Sequence, residues 1–119
     1  MKQDQWKIWH DTNWTEFETH SLIFGILRKT LKGKYIVRGE YTFMTSDGNR
    51  FQPDISIFEL LERGKPAELI LTIEVKKESS RQDTYVQKTK YELLGVPCLV
   101  VTGKEGTNII DMLTPYLNI

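Results

Sequence analysis

The run LTIEVKK, residues 71–77, constrains the fold more tightly than any other stretch of the chain. It reads as a buried strand that carries a carboxylate and an ammonium two residues apart near its end. Side chains alternate across a strand, so Leu71, Ile73 and Val75 share one face while Thr72, Glu74 and Lys76 share the other. The acid and the base therefore point the same way.

The surrounding sequence supplies the partners such a strand needs. Residues 15–32 open with Thr15 and Glu18 at capping-box spacing, carry apolar residues at 24, 27 and 31, and close near Gly33, which predicts a helix. KYIVRGEYTFM follows as a strand, TSDGNR as a turn, and FQPDISIF as a second strand with Pro53 near its start, where a missing amide donor is tolerated. A polar stretch leads into LILTIEVKK. SSRQDTYVQKTKYELLG predicts a helix with Asp83 near its start and Gly95 at its end. VPCLVVT is a short buried strand, and NIIDMLTPYL a closing helix broken near Pro115. The order of helix, three strands, helix and strand, with a C-terminal helix added, predicts an α/β sheet flanked by helices.

At 119 residues and 39% hydrophobic content the chain fits one domain over 1–119, with a core that needs no metal or disulfide to hold it. Cys98 stands alone in VPCLVV, which points to a buried structural thiol and a reducing compartment. The first residues, MKQDQWKIWHD, lack a secretory apolar segment, and no stretch approaches the roughly 18 apolar residues of a membrane span. A cytoplasmic location and no membrane partner are expected. Sixteen basic residues balance sixteen acidic ones, so overall charge gives no argument for nucleic acid. Locally, Arg28, Lys29, Lys32, Lys34 and Arg38 form a basic strip without an acid. It suits phosphates and a solvated helix end equally well.

Asp54 and Glu74 lie twenty residues apart with Gly64 at the midpoint, inside ERGKP, the strongest turn signal between them. An antiparallel hairpin folded there puts the two acids opposite each other, with Cβ atoms about 4.5–5.5 Å apart on one face. Opposed carboxylates repel unless a positive charge sits between them. A divalent cation fits, and all-oxygen ligation with room for waters suits Mg²⁺ better than zinc, because no His and Cys pair stands nearby at metal spacing. The alternative is a pair of solvated acids on an outer sheet face, neutralised by Lys76 and Lys77.

PDISIF at 53–58, IEVKK at 73–77, and Gln87 with Tyr91 at Q-x-x-x-Y spacing together resemble the PD-(D/E)XK nuclease superfamily, the restriction-endonuclease-like fold. YELLGVPCLVV further resembles a group of small single-domain endonucleases. The resemblance spans about residues 15–102. It implies Asp54 and Glu74 as ligands of Mg²⁺ or Mn²⁺, with the backbone carbonyl of Val75 as a third. It implies Lys76 as catalytic base or charge stabiliser, Gln87 as the residue that orients water or phosphate, and an acid from the first helix. Glu16 is the first choice for that acid: it shares a helix face with His20 at i, i+4, and Glu18 does not. Glu40 is a rival, because the TSDGNR turn brings it within about one residue of Asp54 in register. His20 reads as a partly buried helix residue rather than a ligand.

Trp6, Trp9 and Trp14 crowd the first fourteen residues, a pattern for packing or for a homodimer interface. The expected function is a metal-dependent nuclease that hydrolyses phosphodiester bonds in DNA. The alternatives are a catalytically quiet, DNA-binding accessory factor of the same fold, active in DNA rearrangement or defence, and a purely structural α/β domain.

Overall fold

A computed structural model describes residues 16–76 and 88–117. Helix α1, Glu16–Thr30, turns Ile23 and Leu27 fully into the core, and Leu31 follows just past its end. The sequence places Phe24 on this apolar face; the structure gives that position to Ile23 and leaves Phe24 half-buried at the edge. Arg28 and Lys29 occupy the last turn, where cations complement the helix dipole. Gly33, with φ +100°, reverses the chain in a conformation that L side chains rarely adopt.

The strands are β1 (Tyr35–Gly39), β2 (Phe43–Met44), β3 (Arg50–Phe51), β4 (Ile55–Glu59), β5 (Glu68–Lys76) and β6 (Cys98–Thr102). They form a four-stranded sheet in the order β1-β4-β5-β6 and a separate two-stranded hairpin, β2-β3. β4 runs antiparallel to both β1 and β5, whereas β6 is parallel to β5. The α/β expectation holds as a mixed sheet with helices.

Two expected strands prove to be broken. KYIVRGEYTFM is interrupted at Glu40, whose φ of 51° is incompatible with continued extended backbone. The Glu40 amide still donates to the Asp54 carbonyl at 2.9 Å, the last rung before the chain leaves the sheet. FQPDISIF splits between Phe51 and Ile55, around Pro53, which has no amide to give a ladder. The excursion between the breaks is the β2-β3 hairpin. Its turn is tied by Thr45 and Asn49 side chains to Asp47, and Tyr41, Phe43 and Phe58 meet edge and face, with centroids 5.0–5.9 Å apart.

The connection from β5 to β6 contains helix α2, described over residues 88–92, and turns at Gly95 (φ +87°). Residues 79–87 of the expected helix lie outside the described residues. A 3₁₀ turn, Gly103–Asn108, leads into α3, Ile109–Leu113. The closing helix is thus shorter than expected and ends two residues ahead of Pro115, with the Thr114 hydroxyl bonded back to the Ile110 carbonyl.

One sheet face carries Ile55, Ile57, Leu71, Ile73, Val75 and Val101 against Ile23, Leu27, Ile109 and Leu113. The other bears Thr72, Glu74 and Cys98 and is covered by Phe51 and Tyr91, which cluster with Cys98. Both faces are buried, so polar groups pointing to the second face lose water. Ser56 is one of them: fully buried, its hydroxyl has no hydrogen-bond partner among the described residues.

Ser56→Ala is therefore expected to leave stability unchanged or to raise it, because the hydroxyl is desolvated without return. Leu27→Ala should cost about 2–5 kcal/mol through the cavity it opens. Urea denaturation of the two variants checks both; a clear loss from Ser56→Ala would contradict the packing described.

Candidate functional site

The site lies at one end of the sheet, where β5 ends and β4 begins. Near the β4-β5 turn Phe58 pairs with Leu69, but from Ile57 onward the register shifts to Ile57 with Leu71 and Ile55 with Ile73. Ile70 is the extra residue of this bulge. Continued by one residue, the shifted register sets Asp54 opposite Glu74.

Each carboxylate is then tied to the opposite backbone. The Asp54 amide donates to Glu74 Oε1 at 3.1 Å, and the Val75 amide donates to Asp54 Oδ2 at 2.8 Å. Glu74 is 2% exposed and Asp54 half-buried, so the picture of two solvated acids does not hold. Burial first, and then the negative charge of Asp54, push the Glu74 carboxyl up to about 8. The Asp54 amide and the nearby charge of Lys76 pull in the opposite direction without cancelling the rise. Lys76, half-buried at the end of β5, thus stands beside this pair.

Tyr91 closes the second face. Its hydroxyl donates to the Gln52 carbonyl at 3.1 Å, and burial, reinforced by the charges of Glu74 and Asp54, pushes it up to about 12. It acts as a neutral donor that pins the segment between β3 and β4. Cys98, opposite Thr72 in the parallel register, is buried and raised to about 11, mainly by desolvation. It is a packed thiol rather than an exposed thiolate.

On the α1 side a cleft of about 680 Å³ opens, lined by Phe17, His20, Phe24, Glu40, Asp54 and Val75 among others. His20 Nε2 lies 3.0 Å from the Asp54 carbonyl; a carbonyl only accepts, so Nε2 carries the proton. His20 is the partly buried helix residue that the sequence predicts. Its tie to the backbone of Asp54 was not visible, because it depends on α1 crossing the start of β4. Glu40 also lines this cleft, facing Asp54 across the β1-β4 pair.

The structure thus brings together Asp54, Glu74, Val75 and Lys76. Glu16 is the first residue of α1. Gln87, with Trp6, Trp9 and Trp14, lies outside the described residues. Among the described residues no three His, Cys, Asp or Glu side chains converge as a ready metal cluster. The donor chemistry nonetheless fits a hard cation that keeps several waters and takes one or two carboxylates. A desolvated acid, driven to hold a proton at neutral pH, beside a second, half-buried one is a pair that a divalent charge would relieve.

Comparison with known proteins finds no matching family model, curated protein or solved structure. Among the described residues no helix is long and apolar enough to cross a membrane.

The Glu74 shift fixes a sign for pH dependence. The unfolded carboxyl titrates near 4.5 and the folded one near 8, so between these values the native state holds a proton that the unfolded state has lost. Its contribution to stability is complete below about pH 4.5 and is lost as pH rises through about 8. In EDTA, the melting temperature of the wild type is expected to fall across that window, while Glu74→Gln lacks this component and outlasts the wild type at the alkaline end. Parallel melting curves for the two proteins would contradict the burial of the Glu74 carboxyl.

Proposed function

We propose that the chain is a metal-dependent nuclease of the PD-(D/E)XK type that hydrolyses phosphodiester bonds in DNA. The observation that carries this reading is the pairing of buried Glu74 with half-buried Asp54, joined to opposite backbones at the end of a sheet with Lys76 alongside. Support also comes from the strand order, three antiparallel strands and a parallel fourth, which suits a restriction-endonuclease-like core.

Asp54, Glu74 and the Val75 carbonyl would hold Mg²⁺ or Mn²⁺, which when bound supplies charge to polarise a phosphoryl oxygen and acidify a water. The chain's own residues do the rest. Binding of the cation requires Glu74 to give up its proton, so the site loads more readily as pH rises. The Lys76 ammonium would stabilise the negative charge that develops as water attacks phosphorus. His20 fixes the Asp54 carbonyl and, through it, the start of β4. The resemblance would add an acid, Glu16 or Glu40, and Gln87 to orient water or phosphate. A quiet DNA-binding accessory factor is the second reading, favoured by the convergence of only two carboxylates among the described residues.

Wild type, Glu74→Ala and Lys76→Ala are to be incubated with supercoiled, linear, single-stranded and branched DNA in Mg²⁺ and in Mn²⁺. Cleavage by the wild type is expected, with a loss on the order of 10²–10³ in rate for Lys76→Ala and no detectable cutting by Glu74→Ala. Silence from all three would favour the accessory factor. Independently, a cation at 100 times its dissociation constant should add about 2.7 kcal/mol to stability, read as several degrees in melting temperature that Glu74→Ala does not gain.

A further inference from the structure

The basic strip left open by the sequence acquires a specific shape in the fold. His20, Phe24, Arg28 and Lys32 are spaced four residues apart along and just beyond α1, and therefore form one stripe. It is continuous: the His20 and Phe24 rings stack with centroids 6.0 Å apart, and the Arg28 guanidinium lies 5.5 Å over the Phe24 ring. At one end the stripe enters the cleft that contains Asp54, Glu40 and Val75. At the other it becomes a hollow of about 160 Å³ lined by Arg28, Lys32 and Arg38, the last of them from β1, an edge strand.

Two features of this surface call for a ligand. Among the described residues Arg28, Lys29, Lys32 and Arg38 have no carboxylate partner, and no acid interrupts the sequence from Arg28 to Gly39. In a chain of zero net charge this is a concentrated positive surface. At the cleft end stands Phe17, an aromatic ring 79% exposed that lines the same cleft as Asp54. Exposed cations in a row with an exposed aromatic face at their head match the two needs of an unpaired nucleic-acid strand: neutralised phosphates and a surface on which a base stacks. A base reaches such a face only when it has left the duplex stack.

We infer that this stripe is the track for a single nucleic-acid strand. Arg28, Lys32 and Arg38 contact its phosphates, Phe17 stacks one of its bases, and the phosphodiester beside that base is delivered to the end of the cleft at Asp54. The inference rests on the nuclease reading for what happens at the end of the track, though not for binding itself. From Phe17 to Arg28 the helix rises about 16 Å, enough for several nucleotides. Selection of unpaired or frayed strands follows from the ring, because the cations alone would accept any phosphate backbone.

The test is fluorescence anisotropy of the full chain with a labelled single-stranded DNA and with the duplex of the same sequence, in EDTA, over a series of salt concentrations. The wild type is expected to prefer the single strand. Arg28→Ala/Arg38→Ala should weaken binding and flatten the slope of log K against log salt by about 1.4, or roughly 0.7 per lost phosphate contact; Arg28→Lys/Arg38→Lys should restore the slope. Phe17→Ala should weaken binding roughly tenfold with the slope unchanged. All these side chains are exposed, and melting temperatures confirm that the variants fold. Tighter binding of the duplex, or equal affinities and slopes for wild type and variants, overturns the track. Because no divalent ion is present, binding along the track without cleavage in Mg²⁺ would sink the nuclease reading alone, whereas cleavage by a protein indifferent to these residues would sink the track alone.

Discussion

Two carboxylate-to-amide hydrogen bonds, Glu74 to the Asp54 amide and Asp54 to the Val75 amide, close the end of the sheet. The bond accepted by the Asp54 carboxylate is worth about 1.5–3 kcal/mol and the one accepted by the protonated Glu74 about 0.5–1.5 kcal/mol, and here they act where the regular ladder has stopped and Pro53 has no amide to offer. The cost is electrostatic. Both acids are brought onto one face, and the one that points under Phe51 and Tyr91 is denied water. The same contacts that fasten β4 to β5 therefore gather negative charge at one point, offset in part by Lys76 and by the proton that burial holds on Glu74. Fold and proposed chemistry share one cause.

The bulge at Ile70 decides whether that site exists. Without the extra residue, the pairing seen near the turn would run on and set Asp54 against Ile73, and Glu74 would lose its partner. A slip of one residue exchanges the faces of a strand. The Gly64 midpoint in the sequence predicts the right pairing of Asp54 with Glu74, yet for an incomplete reason: the strands do not run in one register from turn to end. Local composition around LILTIEVKK carries no mark of the bulge, because Ile70 looks like any other strand residue.

Other parts of the fold were legible to the extent that their signals are local. The heptad-like spacing of α1, the Gly33 and Gly95 stops, the Asp-Gly turn and the apolar VPCLVV strand each declare themselves within a few residues. The breaks at Glu40 and around Pro53 were not legible as breaks, because both lie in runs with good strand propensity and the backbone reversal at Glu40 falls on a residue type with no preference for it. Burial of Glu74 was also hidden. Alternation alone leaves the Thr72 and Glu74 face open to solvent, and only the folding back of the β2-β3 hairpin and the placing of Tyr91 cover it. The His20 contact and the alignment of Phe24 with Arg28 belong to the same class, since they arise from how α1 lies across the sheet.

If the buried pair is a cation site, filling it must expel the proton that burial places on Glu74, since a metal competes with protons for its ligands. Calorimetric titration of Mg²⁺ or Mn²⁺ into the metal-free chain at neutral pH, repeated in buffers of different ionisation enthalpy, measures that proton directly. Saturable binding that releases about one proton per ion and vanishes in Glu74→Gln is expected. Absence of binding heat in every buffer, or binding that releases no proton and persists in Glu74→Gln, would contradict the cation site.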